Sequence, residues 1–238
     1  MTSKPDPVLE IVGLSIEIAG RTIVRDATFS LPRGADLAVI GPNGSGKTVL
    51  LKTLLGLLPA SGTISWAPDS RRGYVPQKVF ADPHLPMRVK ELLKAKASVQ
   101  HFKDSDIESA VAWVGITDLM AQRLGALSSG QLQRVLLAMA MVGSPNVLLV
   151  DEPTSSLDEA AEGHIYELLQ RTRQTRGTTV ILVSHDLALV HNMATHVLCL
   201  NGGRASFGTA QEMLTQDILE SLYGCPLQFH SHAWEKKP

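Results

Sequence analysis

Several features that mark specialised protein classes are absent from this 238-residue sequence. Two cysteines are too few for a disulfide framework and are typical of a reducing compartment. No run approaches the roughly 18 consecutive apolar residues that a membrane span needs. Residues 1–7 are polar and contain proline, so they do not resemble a signal peptide. We therefore expect a cytoplasmic protein, which would serve a membrane only through a partner.

An excess of charge of one sign is also lacking, because 22 basic and 23 acidic residues give a formal net charge of −1. Nothing in this balance attracts nucleic acid, and we expect no nucleic-acid partner. Hydrophobic residues make up 44% of the chain and charged residues 19%, which is typical of a folded globular protein and not of a disordered one. The length allows one large domain or two small ones.

The sequence does contain a glycine-rich run with the spacing G-x-x-x-x-G-K-[ST]. An apolar stretch at residues 36–40 precedes this run and predicts a buried strand, and a leucine-rich stretch at residues 48–58 predicts a helix that ends at Pro59. A strand, a glycine loop and a helix are the context in which this spacing binds phosphate. The residues of the run are Gly41, Pro42, Asn43, Gly44, Ser45, Gly46, Lys47 and Thr48.

The chemistry of this loop predicts a nucleoside triphosphate as its ligand. Glycines let the backbone turn its N–H groups inward, and the N-terminus of the following helix adds about half a positive charge. Lys47 is expected to reach the β- and γ-phosphates, and the Thr48 hydroxyl is expected to bind Mg²⁺. A chance glycine-rich turn is the alternative, and the flanking strand and helix disfavour it.

A second candidate site follows the apolar run at residues 147–150. This run predicts a buried strand, so that Asp151 emerges at the carboxyl end, where open α/β sheets bind ligands. Asp151 is expected to hold Mg²⁺, and Glu152 to take a proton from an attacking water. Two acids that merely end a strand are the alternative reading of the same residues.

The distribution of periodic segments predicts an α/β fold: a P-loop (RecA-like) ATPase core with an N-terminal antiparallel β-subdomain and an inserted α-helical subdomain. The predicted single domain, residues 1–238, has its nucleotide-binding core at residues 8–80 and 141–215, the helical subdomain at 81–140 and a C-terminal tail at 216–238. The predicted strands include residues 9–12, 15–18, 27–30, 61–64, 146–150 and 178–183, and the predicted helices include 89–97, 107–114, 130–141, 160–171 and 187–194.

Four further motifs resemble those of ABC-type ATPases. Residues 127–131 (LSSGQ) resemble the LSGGQ signature, Gln77 stands where that family has its Q-loop glutamine, residues 155–158 (SSLD) resemble the D-loop, and residues 184–186 (SHD) resemble the switch-histidine motif. The order and spacing of all six motifs match the family over nearly the whole chain. On this resemblance the sequence is identified as an ABC ATPase.

The resemblance implies a homodimer in which two domains pair head to tail, with each ATP between the P-loop of one and the signature of the other. The implied catalytic residues are Glu152 as general base, His185 beside the γ-phosphate and Gln77 beside the water and Mg²⁺. A core histidine is the other reading of His185. The implied contacts to the ATP of the partner subunit are Ser128, Ser129, Gly130 and Gln131. Asp158 is implied to lie at the dimer seam. The implied Mg²⁺ ligands are Thr48, Gln77 and Asp151.

Two positions depart from the family pattern. Ile18 aligns with the aromatic residue that stacks on adenine, so that only dispersion and burial remain there for holding the base. Ser129 replaces the usual glycine of the signature, and its side chain either crowds the γ-phosphate or adds a hydrogen bond.

A narrower resemblance points to the ATPase subunits of zinc/manganese-type metal importers. Residues 73–78 (GYVPQK) and 85–89 (LPMRV) are similar to theirs, as is the compact run at residues 62–77. This resemblance implies polytopic membrane permease subunits, an external metal-binding protein and a place on the inner face of the cell membrane. Residues 84–93, with Leu85, Pro86, Met87 and Val89, are expected to dock a permease helix, and an apolar face packed in the protein's own core is the alternative reading of the same residues.

Several alternatives remain open at this stage. Cys225, His230 and His232 either bind a metal or are simply solvated. A soluble ABC ATPase of DNA repair or translation, an importer ATPase for another solute and a P-loop kinase are rival functions. A single P-loop, the lack of a heptad run and the neutral charge disfavour the soluble class.

Overall fold

The structure is a computed structural model that describes residues 6–77, 86–155 and 157–224. Strands and helices alternate along much of the described chain, as expected of an α/β protein. In chain order they are β1 (Pro7–Ile18), β2 (Arg21–Pro32), β3 (Leu37–Ile40), α1 (Lys47–Leu54), β4 (Ser61–Trp66), β5 (Arg72–Val75), α2 (Val89–Gln100), α3 (Asp104–Val114), α4 (Ser129–Met141), β6 (Val147–Asp151), α5 (Glu159–Arg176), β7 (Thr179–Val183), α6 (Leu187–Met193), β8 (His196–Asn201), β9 (Arg204–Thr209), α7 (Ala210–Met213) and α8 (Gln216–Tyr223).

The described chain divides into two compact units. The first unit comprises residues 6–67 and 182–224, and the second comprises the described residues between 68 and 181. Strand β7 begins in the second unit and ends in the first. Helices α2, α3 and α4 lie in the second unit together with β5, β6 and α5. The division predicted from the sequence, with a separate helical subdomain at residues 81–140, stays a prediction.

In the first unit, β1 pairs with both β2 and β4 in an antiparallel sheet. Side chains on its inner face, such as Leu9 and Ile16, are fully buried, whereas Glu10 is exposed. The two strands predicted at residues 9–12 and 15–18 form one strand, because a register shift at Gly13 lets the pairing continue. Gly13 has φ 61°, a left-handed conformation that glycine adopts without strain.

The other strands of the first unit form the layer that carries the glycine loop. Strand β3 runs parallel to β8, and β8 runs antiparallel to β9. Helices α7 and α8 contribute to the apolar cluster beneath this layer, and residues 216–223, predicted to belong to a tail, form α8. Cys199 lies in this cluster at 5% exposure, and burial raises the pKa of its thiol to about 11. Cys199 is therefore a protonated core residue at neutral pH.

In the second unit, β5 runs parallel to β6, and the amide of Thr179 at the start of β7 donates to the carbonyl of Asn146. All residues of β6 are buried, as predicted for a strand covered on both faces. Helix α4 packs directly on β5, because a Cβ atom at Gly73 would lie 2.4 Å from the carbonyl oxygen of Ala140. This close packing fixes the strand that leads to Gln77.

Two local predictions are wrong for identifiable reasons. Helix α1 ends at Leu54 and not near Pro59. The cause is a Schellman motif, in which Gly56 adopts φ 74° and its amide donates to the carbonyl of Thr53. The amide of Leu57 donates to the carbonyl of Lys52 and completes the motif. Val89, predicted to belong to an exposed docking patch, is fully buried. The first apolar position of an amphipathic helix is as suited to its own core as to a partner.

No helix in the described part of the chain is long and apolar enough to cross a membrane.

Candidate active site

The glycine loop of the first unit joins β3 to α1 and depends on glycine at two points of close approach. A Cβ atom on Gly41 would lie 2.2 Å from the carbonyl oxygen of Leu200, and a Cβ atom on Gly46 would lie 2.0 Å from Cγ2 of Ile23. Gly46 also has φ 100° and forms the N-cap of α1. Larger residues at these positions would push the loop away from β2 and β8.

Lys47 curls back over the loop. Its Nζ donates to the carbonyl oxygens of Gly41 and Pro42 at 2.9 and 3.2 Å, and the side chain is only 6% exposed. The loop is closed further by the amide of Ser45, which donates to the carbonyl of Pro42 at 3.2 Å. A positive charge is thus held against the loop, where a phosphate group would be bound.

An open cavity of about 230 Å³ adjoins the loop within the first unit. It is bounded by Arg21 and Ile23 of β2, by Gly44 and Ser45 of the loop, and by the turn between β8 and β9. Oγ of Ser45 is buried and has no hydrogen-bond partner among the described residues. Ile18 is half-buried and does not line this cavity, so its predicted contact with the base stays a prediction.

Asp151 ends β6 in the second unit and is completely buried. Tyr74 of β5 lies opposite Leu149, and Leu149 and Asp151 point to the same face of the sheet because side chains alternate along a strand. The Tyr74 hydroxyl accordingly forms a hydrogen bond with the Asp151 carboxylate. Burial, with the charge of Asp151 and this bond, raises the pKa of Tyr74 to about 12, so the tyrosine remains a donor.

Glu152 lies next to this carboxylate in a left-handed backbone conformation with φ 41°. Such a conformation is uncommon for residues other than glycine and recurs at functional sites. Nε2 of Gln77 donates to Oε2 of Glu152 at 2.6 Å, so two of the predicted catalytic residues are in contact. Both side chains are partly exposed, which leaves the carboxylate accessible to water.

The signature segment begins α4 in the second unit with a reciprocal capping box. Oγ of Ser128 accepts from the amide of Gln131 at 3.3 Å, and Oε1 of Gln131 accepts from the amide of Ser128 at 3.0 Å. Ser128 and Ser129 are exposed. The amides of Ser129 and Gly130 have no acceptor inside the helix, since they belong to its first turn. This helix start offers N–H groups and a positive dipole to an anion.

The last two predicted site residues are both exposed. His185 follows β7 in the first unit, and because its side chain is exposed, the alternative reading as a core histidine is wrong. Asp158 is the N-cap of α5 in the second unit, where its Oδ1 accepts from the amide of Ala161 at 2.8 Å. Its predicted place at a dimer seam stays a prediction.

Cys225, His230 and His232, for which the sequence leaves both metal binding and solvation open, lie outside the described residues. Within the described ranges no group of three or more histidine, cysteine, aspartate or glutamate side chains could hold a metal ion.

The family follows from a comparison with known proteins. Residues 24–155, more than half of the chain, match the family model described as ABC transporter. The chain belongs to the ABC transporter family. This match confirms the family predicted from the six motifs and, with it, the assignment as a transport ATPase that binds ATP.

Individual ABC proteins resemble the chain over most of its length. The zinc import ATP-binding protein ZnuC of Ruegeria pomeroyi is 40% identical over 219 residues, which cover 92% of this chain and 84% of that protein. ZnuC of Haemophilus influenzae is 34% identical over 219 residues, 92% of this chain and 81% of the relative. A solved metal-chelate type ABC transporter in an inward-facing conformation has a TM-score of 0.84 at 29% identity, with 93% of this chain and 90% of that chain covered. The predicted fold class is thereby confirmed.

Sequence reasoning overlooked three side chains that lie near predicted site residues, one in the second unit and two in the first. Tyr74 contacts Asp151, and Arg21 and Ile23 line the cavity beside the loop. A signal for Tyr74 was available, because a tyrosine in a strand three residues before Gln77 brings a hydroxyl close to that site. For Arg21 and Ile23 no motif gives a comparable signal, since their proximity to the loop depends on how β2 packs.

Proposed function

We propose that this chain is the ATP-hydrolysing subunit of a zinc importer, which acts as a homodimer closed head to tail around two ATP molecules. Two kinds of observation support this proposal. The contact between Gln77 and Glu152 beside the buried Asp151 provides a carboxylate suited to activate water. The 40% identity to a zinc import ATP-binding protein over 92% of the chain supports the cargo.

The donor set suits Mg²⁺ as the companion of ATP. Asp151 supplies a carboxylate and Thr48 a hydroxyl, and both are hard oxygen ligands of the kind that Mg²⁺ prefers. Gln77 directs its Nε2 to Glu152, so its carbonyl Oε1 is the end available to a metal or a water. When bound, Mg²⁺ would neutralise charge on the β- and γ-phosphates.

The chain's own residues then account for hydrolysis. Lys47 holds a positive charge against the loop and binds the phosphates. Glu152 accepts a proton from the attacking water, and Gln77 keeps the carboxylate oriented by donating to Oε2. The exposed His185 holds the γ-phosphate and the water in position. In the dimer, the start of α4 from the partner subunit contributes its first N–H groups to the same phosphate.

The proposal includes a permease in the membrane, so that the chain lies on the inner face of the cell membrane without a span of its own. Pro86, Arg88 and Lys90 are exposed and Met87 is half-buried, and together they form a mixed apolar and basic surface at the start of α2. Leu85 lies outside the described residues. This surface follows Gln77 in sequence and is our candidate for the permease contact.

Substituting Met87 by glutamate is expected to uncouple hydrolysis from transport. A buried charge at the centre of an interface costs about 2 kcal/mol or more, so transport should fall at least about tenfold while basal ATP hydrolysis stays within about twofold of wild type. Val99→Glu is the matched control, because Val99 is 79% exposed at the far end of α2. Equal transport by the two variants would remove this surface from the proposal.

Loss of the chain is expected to abolish high-affinity zinc uptake. The measurement compares metal accumulation under scarcity in cells that lack the chain, in cells complemented with wild type and in cells complemented with Glu152→Gln. Only wild type should restore zinc. Restoration of manganese instead of zinc would reassign the metal, and unchanged accumulation of zinc, manganese and iron with a defect in an organic solute would reject a metal cargo.

A further inference from the structure

Helix α5 touches two separate parts of the site within the second unit. Its first turn packs against the signature, because a Cβ atom on Gly130 would lie only 3.0 Å from Cβ of Ala161. Gly130 is the second residue of α4, and Ala161 is the third residue of α5. Glycine at position 130 therefore lets the first turns of α4 and α5 lie in close contact, and a signature displaced toward α5 would push on Ala161.

The next turn of α5 is bonded to the loop that follows Glu152. The hydroxyl of Tyr166 donates to Oε1 of Glu162 at 2.5 Å and lies 3.0 Å from Oγ1 of Thr154. A tyrosine hydroxyl has one proton, so Thr154 is the donor in the second bond. Thr154 is two residues beyond Glu152, and the amide of Leu157 donates to its carbonyl at 3.0 Å. The loop is thus held to the helix at Thr154.

The two attachments are close together on the helix. Ala161 and Glu162 lie in the first turn, and Tyr166 follows Glu162 by four residues, which places both on one face. The helix is capped by Asp158 and continues to Arg176, so its first turns move as a rigid segment. A series of contacts thus runs from the signature through the first turns of α5 to Thr154, two residues beyond Glu152, whose backbone has φ 41°.

We propose that Tyr166 is a positioning residue that couples the two ATP sites of the dimer. This inference rests on the head-to-tail dimer of the proposed function, in which the signature of one subunit serves one ATP while Glu152 of the same subunit serves the other. Engagement of the first ATP by the signature shifts α5, and the bond from Thr154 to Tyr166 carries the shift to the second catalytic carboxylate. Tyr166 itself does not touch either nucleotide.

The test is the ATP dependence of hydrolysis in the Tyr166→Phe variant, which lacks only the hydroxyl. Two sites give a Hill coefficient of at most about 2, and ATP-driven dimerisation by itself raises the coefficient above 1 in every variant that dimerises. The coupling is therefore measured as a difference: we expect a lower coefficient for Tyr166→Phe than for wild type, with a maximal rate within about fivefold of wild type. Thr154→Val breaks the same bond from the loop side and should have the same effect. His164→Ala, an exposed change on the same helix, should leave the coefficient unaltered.

The dimer is checked in the same variants by light scattering with ATP in a Glu152→Gln background. A dimer that forms normally in Tyr166→Phe with a Hill coefficient equal to that of wild type overturns the proposal, as does a wild-type coefficient of 1 in a protein that dimerises. Absence of an ATP-dependent dimer in the Glu152→Gln protein itself would instead overturn the proposed function. If circular dichroism shows Tyr166→Phe to be unfolded, Thr154→Val decides.

Discussion

The Glu152→Gln variant is expected to bind ATP normally and to hydrolyse it about 10²–10⁴-fold more slowly, the usual contribution of a positioned general base. Glutamine has the shape of glutamate, and its Oε1 can still accept the hydrogen bond that Nε2 of Gln77 donates at 2.6 Å. The substitution therefore preserves the geometry and removes only the ability to take a proton. Single-turnover hydrolysis measured beside equilibrium binding of ATP separates the two effects.

Lys47→Ala provides the contrast. Lys47 is 6% exposed, and its Nζ lies against the loop through bonds to the carbonyls of Gly41 and Pro42. Its removal takes a positive charge from the phosphates, so ATP binding itself should weaken, whereas Glu152→Gln should leave binding intact. Near-normal turnover by Glu152→Gln would assign the general base to another residue.

The parts of the fold and site that sequence predicts well are those with short-range causes. Only residues within a few positions of each other define the P-loop spacing, the apolar run of β6 and the acids Asp151 and Glu152 at its carboxyl end. Strands β3 and β6 accordingly lie close to their predicted ranges. The start of α4 is similar, because the capping box between Ser128 and Gln131 spans only three residues.

Contacts that depend on strand register or helix packing could not be predicted in the same way. The bond between Tyr74 and Asp151 requires that β5 and β6 pair with Tyr74 opposite Leu149, although the two strands are about 70 residues apart in the chain. The approach of Gly130 to Ala161 likewise depends on how α4 and α5 pack. Val89, predicted to lie on an exposed surface, is buried, because an apolar side chain at the start of a helix fits a core as well as an interface.

ATP is expected to convert the Glu152→Gln protein from monomer to dimer, and Ser128→Arg in that background is expected to abolish the dimer. Ser128 is the exposed N-cap of α4, and the first amides of the helix lie beside it. A bulky guanidinium there would block the approach of the partner's γ-phosphate to these amides and would also remove the cap. Light scattering with and without ATP measures the change in mass.

Two control variants test whether Ser128→Arg acts by obstructing the partner's γ-phosphate. Ser128→Thr keeps a hydroxyl for the capping box, so its dimer should form as in the parent protein. Ser109→Arg places the same side chain on an exposed serine of α3, and it should also dimerise, which excludes added charge as the cause. Because ATP would be shared between the two subunits, dimerisation should require nucleotide. A dimer that forms equally without ATP, or that survives Ser128→Arg, would contradict the head-to-tail arrangement.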